Sequence, residues 1–322
     1  MMPTIRAVSD LDECQQIWQQ VMPAELITDL WEVRNCFQPH FRYRPNFIVA
    51  EASRGICGLL PLSWIEESRC YGYFPGEIWH GKTWLEQNRI YSRGHMQPAD
   101  LLALCPSSYH LRYLLSNPGR PLAKMTTDEI GYLFLPPHYD YDIQNYFREF
   151  SRKSIKHILR EVAAIEESGV AFRYDDISDF DLMVEMNISR FGASSYFYDT
   201  RFRESFRSLA NFFNEKGWLR FTTVLIKGEP AAVDIGCIYR SVYTIMAGGT
   251  NSRYPGVAKL INLHHMQWAC QQRLQQVDFL CGDFHWKKQF HLTPRPLFLL
   301  SSFPPEIAQA ANLEISHRTV NA

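Results

Sequence analysis

The residues most able to do chemistry lie between Gly248 and Ala258, where the chain reads Gly-Gly-Thr-Asn-Ser-Arg-Tyr-Pro-Gly-Val-Ala. Arg253, Gly256 and Ala258 keep the spacing Arg-x-x-Gly-x-Ala where an apolar strand-like run gives way to a long helical run. A helix N-terminus exposes unpaired N–H groups and the positive end of its dipole. Small residues there let an anion reach the backbone, and an arginine adds charge. The chemistry that fits is binding of an anionic diphosphate. Gly248-Gly249, at the end of the preceding strand, mark either a bend or close backbone approach, or a plain turn.

Other candidates surround this loop. Asp234 lies in the apolar run Ala-Ala-Val-Asp-Ile-Gly, either on a solvent-facing strand side or as a functional carboxylate. Cys281, Asp283 and His285 alternate after the last expected strand, so an extended backbone projects all three to one side and permits acid–base work. A metal site there lacks typical spacing and a fourth ligand, and no metal is expected. At about 100° per residue, His264 joins Val257, Leu260, Ile261 and Trp268 on the apolar face of its helix, which makes it a hydrogen-bonded core histidine. Lys153, Lys156 and Arg160 form a basic stripe with Glu166 and Glu167 in the same helix's last turn, opposite to the dipole's preference. The stripe is either a solvated face or a surface for an anionic acceptor. Trp79, His80, Trp84 and Glu86 read as core packing or as the lining of an acceptor cleft.

The elements that must position these groups follow from pattern. The second half opens with a helix capped by Ser151, with Ile155, Ile158, Leu159 and Val162 on one face and Gly169 closing it. A second helix starts at Ser178, with Asp181 completing a capping box, and a third spans about Thr200 to Lys216. Three β runs follow, Leu219 to Ile226, Pro230 to Tyr239 and Val242 to Ala247, joined by tight turns as an antiparallel meander. A helix from Gly256 to Gln276 and a strand from Val277 to Cys281 end the core. The first half reads β-rich: an amphipathic stretch from Asp10 to Val21, a hairpin from Asn46 to Ile65 around Ser53-Arg54-Gly55, and an aromatic region ending at Pro136-Pro137. The change of pattern places a boundary near 145, dividing the chain into domains 1–145 and 146–322.

Composition agrees with two packed domains. The chain has 322 residues, 46% of them hydrophobic, and its formal net charge is −1, which excludes bulk disorder and a polybasic nucleic-acid arm. No apolar run approaches the about 18 residues of a membrane span, and Asp10, Asp12 and Glu13 stand where a secretory signal needs an apolar core, so a cytoplasmic protein is expected. Eight cysteines form no C-x-x-C pair and read as reduced core thiols.

The Arg253-x-x-Gly256-x-Ala258 loop resembles the pyrophosphate loop of GNAT acyltransferases. More widely, FTTVLIKGEPAAVDIGCIY, the loop and VDFLCGDFHWKKQF resemble the C-terminal domain of tandem-GNAT proteins of the cellulose-biosynthesis (CelD/BcsL) type, relatives of the Fem aminoacyltransferases. NFIVAE and GLLPL resemble their degenerate first half. The resemblance implies an α/β (α+β) fold of two tandem GNAT-like domains, each a mixed, mostly antiparallel sheet flanked by helices. It further implies N-acyl transfer from acetyl-CoA or another acyl-CoA, held by Arg253 and the backbone of Gly256, Val257, Ala258 and Lys259. The strand end at Ala247-Gly248 would polarise the acyl carbonyl, and Asp234, Asp283 or His285 would manage protons. The acceptor would be a small-molecule or cell-envelope precursor amine in a cleft between the domains. Many GNAT enzymes use a tyrosine beyond the last strand as acid, whereas here no tyrosine follows Tyr254, and His285 is the substitute. Lys287 stands where Fem relatives use a lysine on phosphate or developing charge, while Lys288 points elsewhere. The alternatives are a Fem-like enzyme using aminoacyl-tRNA and a non-catalytic module that kept the fold.

Overall fold

The computed structural model describes residues 3–116, 119, 125–282 and 285–303. The chain divides into two compact units, the first mainly from residues up to Ile130 and from Pro296 on, the second mainly from residues between Gly131 and Arg295. Position 145 lies inside the second unit.

The first unit opens with β1 (Thr4–Val8) and α1 (Leu11–Val21). Asp10 caps α1 by accepting from Glu13 N, and Cys14, Ile17 and Trp18 form its buried stripe. After α2 (Trp31–Asn35) and α3 (Gln38–Phe41) come β2 (Pro45–Ala52) and β3 (Gly55–Ile65), the expected hairpin. With β4 (Cys70–Tyr73) and β5 (Tyr91–Ser92) they form an antiparallel sheet ordered β1-β2-β3-β4, with β5 also on β3. The core is aromatic, with Trp18 among Trp31, Phe47, Tyr73 and Phe74. Arg34 lies buried within it, its guanidinium over the Trp18 and Tyr73 rings and donating to Thr28 O, Phe74 O and Asn88 Oδ1. α4 (Pro98–Leu102) and β6 (His110–Leu114) follow.

β7 (Thr126–Phe134) leads into the second unit, which continues with α5 (Ile143–Tyr146) and α6 (Arg152–Glu166), capped as expected by Ser151 accepting from Ser154 N. β8 (Val170–Tyr174) and α7 (Asp179–Phe191) come next. The expected Ser178–Asp181 capping box does not form. Ser178 is helical and makes no cap bond; its N and Oγ both donate to Asp176, whose carboxylate builds the turn instead. α8 (Thr200–Lys216) is capped by Asp199 and stopped by Gly217 at φ +69°. The meander β9 (Leu219–Ile226), β10 (Glu229–Tyr239) and β11 (Val242–Thr250) has two-residue turns, Lys227-Gly228 and Arg240-Ser241, with positive φ at both positions, the twist that suits a tight hairpin. α9 (Val257–Gln271) then crosses to β12 (Gln276–Asp278), and α10 (His285–Gln289) and β13 (Thr293–Ser301) follow. β13 pairs antiparallel with β6 through Phe298 and Leu300 in the first unit.

The order in the second unit is β7-β12-β11-β10-β9-β8, antiparallel except for β11 and β12, which the α9 crossover makes parallel. Successive residues of a strand face opposite sides. Gly249 faces α7 so closely that a Cβ would stand 2.6 Å from Met183 O and from Met186 Cβ. Backbone contact of this kind cannot be relieved by a rotamer change, so Gly249→Ala should lower stability by about 1–3 kcal/mol; chemical denaturation of the variant and the parent measures it.

Candidate active site

The site begins with a strand pair that parts. β11 and β12 share three parallel positions, Val242 with Gln276, Tyr243 with Val277 and Thr244 with Asp278. From Ile245 to Thr250 no strand flanks β11 on that side among the described residues. On its other side the register with β10 shifts: Ile235 faces Ala247 and Gly236 faces Ile245, which leaves Met246 as the extra residue of a bulge. A bulge bends and twists its strand, and this one follows directly on the last position at which β11 pairs with β12. The far side of the gap is fixed separately. Asp278, 1% exposed, pairs with Arg295 at 2.6 Å and accepts from Leu280 N. Lys287 is buried with its amine donating to the carbonyls of Phe279, Leu280 and Cys281 at 2.8, 3.0 and 2.7 Å. Three acceptors match the three hydrogens of an ammonium and allow its burial.

Asp234 is cross-strand partner of Gly248, beyond the bulge. It is buried, so the solvent-facing alternative does not hold. Its Oδ2 lies 2.9 Å from His265 Nε2, and His265 Nδ1 lies 3.2 Å from the Tyr243 hydroxyl. Burial and the nearby Asp234 charge push the Tyr243 phenol up, which keeps it a neutral donor. A Cβ on Gly248 would fall 1.9 Å from Asp234 Oδ1, so any side chain there would have to displace the carboxylate. The core histidine of α9 is therefore His265, 1% exposed, rather than His264. α9 buries residues on most of its circumference, so helical phase could not separate two neighbouring histidines. His264 stacks on Phe172 at 3.9 Å and bonds the Tyr174 hydroxyl at 3.1 Å. Burial first, then the neighbouring His265 and Arg220, lowers it to about 4.

The loop from β11 to α9 has the expected features. Asn251 N donates to Ala231 O, and Arg253 N and Tyr254 N donate back to Asn251, which shapes the turn. Gly256 takes φ +87° as the N-cap residue of α9 without a side-chain cap bond. Val257 N–H turns back to Tyr254 O, while among the described residues Ala258 N–H has no partner. The Arg253 side chain is exposed and makes no polar contact among the described residues. Lys259 instead pairs with Glu161 of α6 at 2.5 Å, a contact that holds Glu161 below the usual carboxylate range.

The remaining candidates are placed as follows. Ala247 and Gly248 are half-buried on the unflanked stretch of β11. Asp283 lies outside the described residues, as does the side chain of His285. The backbone of His285 is helical, not extended, and β12 ends at Asp278, so Cys281 and His285 do not share a strand face. Lys288 is exposed, and so are Lys153, Lys156 and Arg160 on α6. In the first unit Trp84 stacks on Phe37 and Glu86 is buried, whereas His80 is exposed beside Trp79. All eight cysteines are free, five of them buried.

Residues 151–288 match the acetyltransferase (GNAT) domain family. No curated protein matches the chain. Among solved structures, a conserved protein of unknown function from Bacteroides thetaiotaomicron VPI-5482 is similar at TM-score 0.59 and 12% identity, over 92% of this chain and 99% of that one. FemX is similar at 0.57 and 8%, over 91% and 96%. A tandem GNAT protein from the clavulanic acid biosynthesis pathway is similar at 0.51 and 10%, over 94% and 99%. At such identities the likeness shows the fold alone: mixed sheets flanked by helices, with GNAT-like neighbours, some of them tandem. No helix among the described residues is long and apolar enough to cross a membrane.

Two measurements test this geometry. Gly248→Ala should destabilise the parent but cost less in an Asp234→Ala background, with a coupling of about 0.5–3 kcal/mol between the positions; denaturation of the four proteins gives the cycle, and additive losses would refute the contact. His264 takes up its proton less readily folded than unfolded, so its contribution to stability is full above pH 6.5 and disappears as pH falls toward about 4. His110, also lowered to about 4 by burial, acts in the same window. The fall in Tm on acidification through this range should therefore shrink, without vanishing, in His264→Gln.

Proposed function

We propose that the chain is an acyl-CoA-dependent N-acyltransferase whose second unit binds the donor. The observation that carries this reading is the parting of β11 from β12 immediately before a glycine-capped helix whose loop presents Arg253. The exposed Arg253 side chain, the unpartnered Ala258 N–H and the Gly256 backbone fit a diphosphate: one full positive charge, one free donor and no Cβ in the way. Lys259 contributes through its backbone, since its amine is engaged with Glu161.

In N-acyl transfer the amine nitrogen bonds to the thioester carbon, the C–S bond breaks, a proton leaves nitrogen and a proton reaches sulfur. The unflanked backbone at Ala247-Gly248 is the candidate for polarising the carbonyl. Asp234 is the candidate for receiving the amine proton, being the carboxylate on β10 directly opposite Gly248. Asp283 and His285 remain candidates for returning a proton to sulfur. Lys287 acts by fixing the chain after β12, through three carbonyls it already holds. The acceptor belongs to the class of small-molecule or cell-envelope precursor amines, in a cytoplasmic setting, and the likeness to the cellulose-biosynthesis tandem type supports this assignment.

Calorimetric titration with acetyl-CoA and longer acyl-CoAs tests the donor. Arg253→Ala should lose one charge-assisted contact, about 1.5–3 kcal/mol or roughly 10- to 150-fold in Kd. Gly256→Val should lose binding through both its disallowed φ and its side-chain bulk. If the parent binds no acyl-CoA, the reading falls and aminoacyl-tRNA becomes the donor to try; if both variants bind like the parent, the site lies elsewhere.

A further inference from the structure

The histidine that the sequence did not single out occupies the centre of a directed chain. His265 touches Asp234 through Nε2 and Tyr243 through Nδ1, and is itself 1% exposed. An ionised carboxylate only accepts hydrogen bonds, so Nε2 carries the hydrogen toward Asp234; in the neutral ring Nδ1 is then left to accept from the Tyr243 hydroxyl. The charged and titratable neighbours are Asp234 from β10, Tyr243 from β11 and His264 from α9 itself, with Arg220 of β9 near enough to act on Tyr243 and His264.

This arrangement does more than fill the core. A buried polar chain is expensive relative to apolar side chains of the same shape unless each member is satisfied. Here one end is left open: Asp234 Oδ1 has no partner among the described residues and lies where a Cβ of residue 248 would be. The open oxygen, from β10, lies against the part of β11 beyond the bulge, where no strand flanks β11 on its other side among the described residues. The closed oxygen is the one His265 holds.

We propose that His265 is a positioning residue for acyl transfer, fixing Oδ2 of Asp234 so that Oδ1 is presented over Gly248 to the amine of the acceptor. Tyr243 sets the ring from its other side. The proposal rests on the acyl-CoA reading above, since it is the donor's acyl group that would lie beside this stretch of β11.

The test is a titration of full-length protein, labelled with ¹⁵N in its backbone and histidines, followed by NMR. The His265 Nε2–H resonance is identified by its disappearance in His265→Gln and by its displacement in Asp234→Asn. Acetyl-CoA should shift this resonance, and CoA without an acyl group should shift it distinctly less, because only the former places a carbonyl beside Asp234. A resonance that stays still, or that moves equally with both ligands, while the amides of Gly256 to Lys259 respond, would overturn the positioning role and leave the donor site standing. If neither the loop amides nor His265 respond to acetyl-CoA, the donor reading itself fails and takes this proposal with it.

Discussion

Three paired residues decide what the second unit can be. β11 and β12 hold each other at Val242 to Thr244 and Gln276 to Asp278, and there the parallel ladder stops. Had it run on to Thr250, every backbone group of β11 would be spent within the sheet. Because it stops, the second half of β11 has no strand on that side among the described residues. The bulge at Met246 on one side, and the Asp278–Arg295 and Lys287 contacts on the other, keep the strands from closing the gap.

The buried polar groups around the gap differ in how they are closed. Asp278 has a guanidinium and a backbone N–H, and Lys287 has three carbonyls. Both tie down the chain after β12. Asp234 has an imidazole on one oxygen only. A carboxylate built solely for support would be surrounded on both oxygens, since each missing bond weakens the case for burying a charge at all.

Much of this arrangement was readable from residue order, and the unreadable part has a common cause. The meander, the Ser151 cap, the β2–β3 hairpin and the loop at Arg253 to Ala258 are local: turn residues, caps and period-two runs act within a few positions, and the folded chain has them all. The misreadings were of another kind. Ser178 and Asp181 have the letters of a capping box, but Asp176 competes for the same hydroxyl and wins at 2.6 Å. His285 reads as part of an extended run because no local signal marks where β12 gives out after Asp278. Asp234 and His265 are 31 residues apart, and a helix buried on most sides offers no phase from which to choose His265 over His264. Pairing across strands and helices is what sequence patterning conveys least.

The adjacent glycines show how tightly these constraints are coupled. Gly248 and Gly249 point to opposite faces of β11, and a side chain on either would collide for a different reason: at 248 with the Asp234 carboxylate, at 249 with the backbone of α7. Asn187 of α7 also donates to Gly248 O at 2.6 Å, while Ser195 holds the Asn187 amide oxygen. The strand is thus clamped from the α7 side by a backbone-deep contact and a hydrogen bond, and left open on the α9 side for one carboxylate oxygen. The clamp comes from α7, the polarity from Asp234 and His265, and the small residues at 248 and 249 are the condition under which both reach the same two positions.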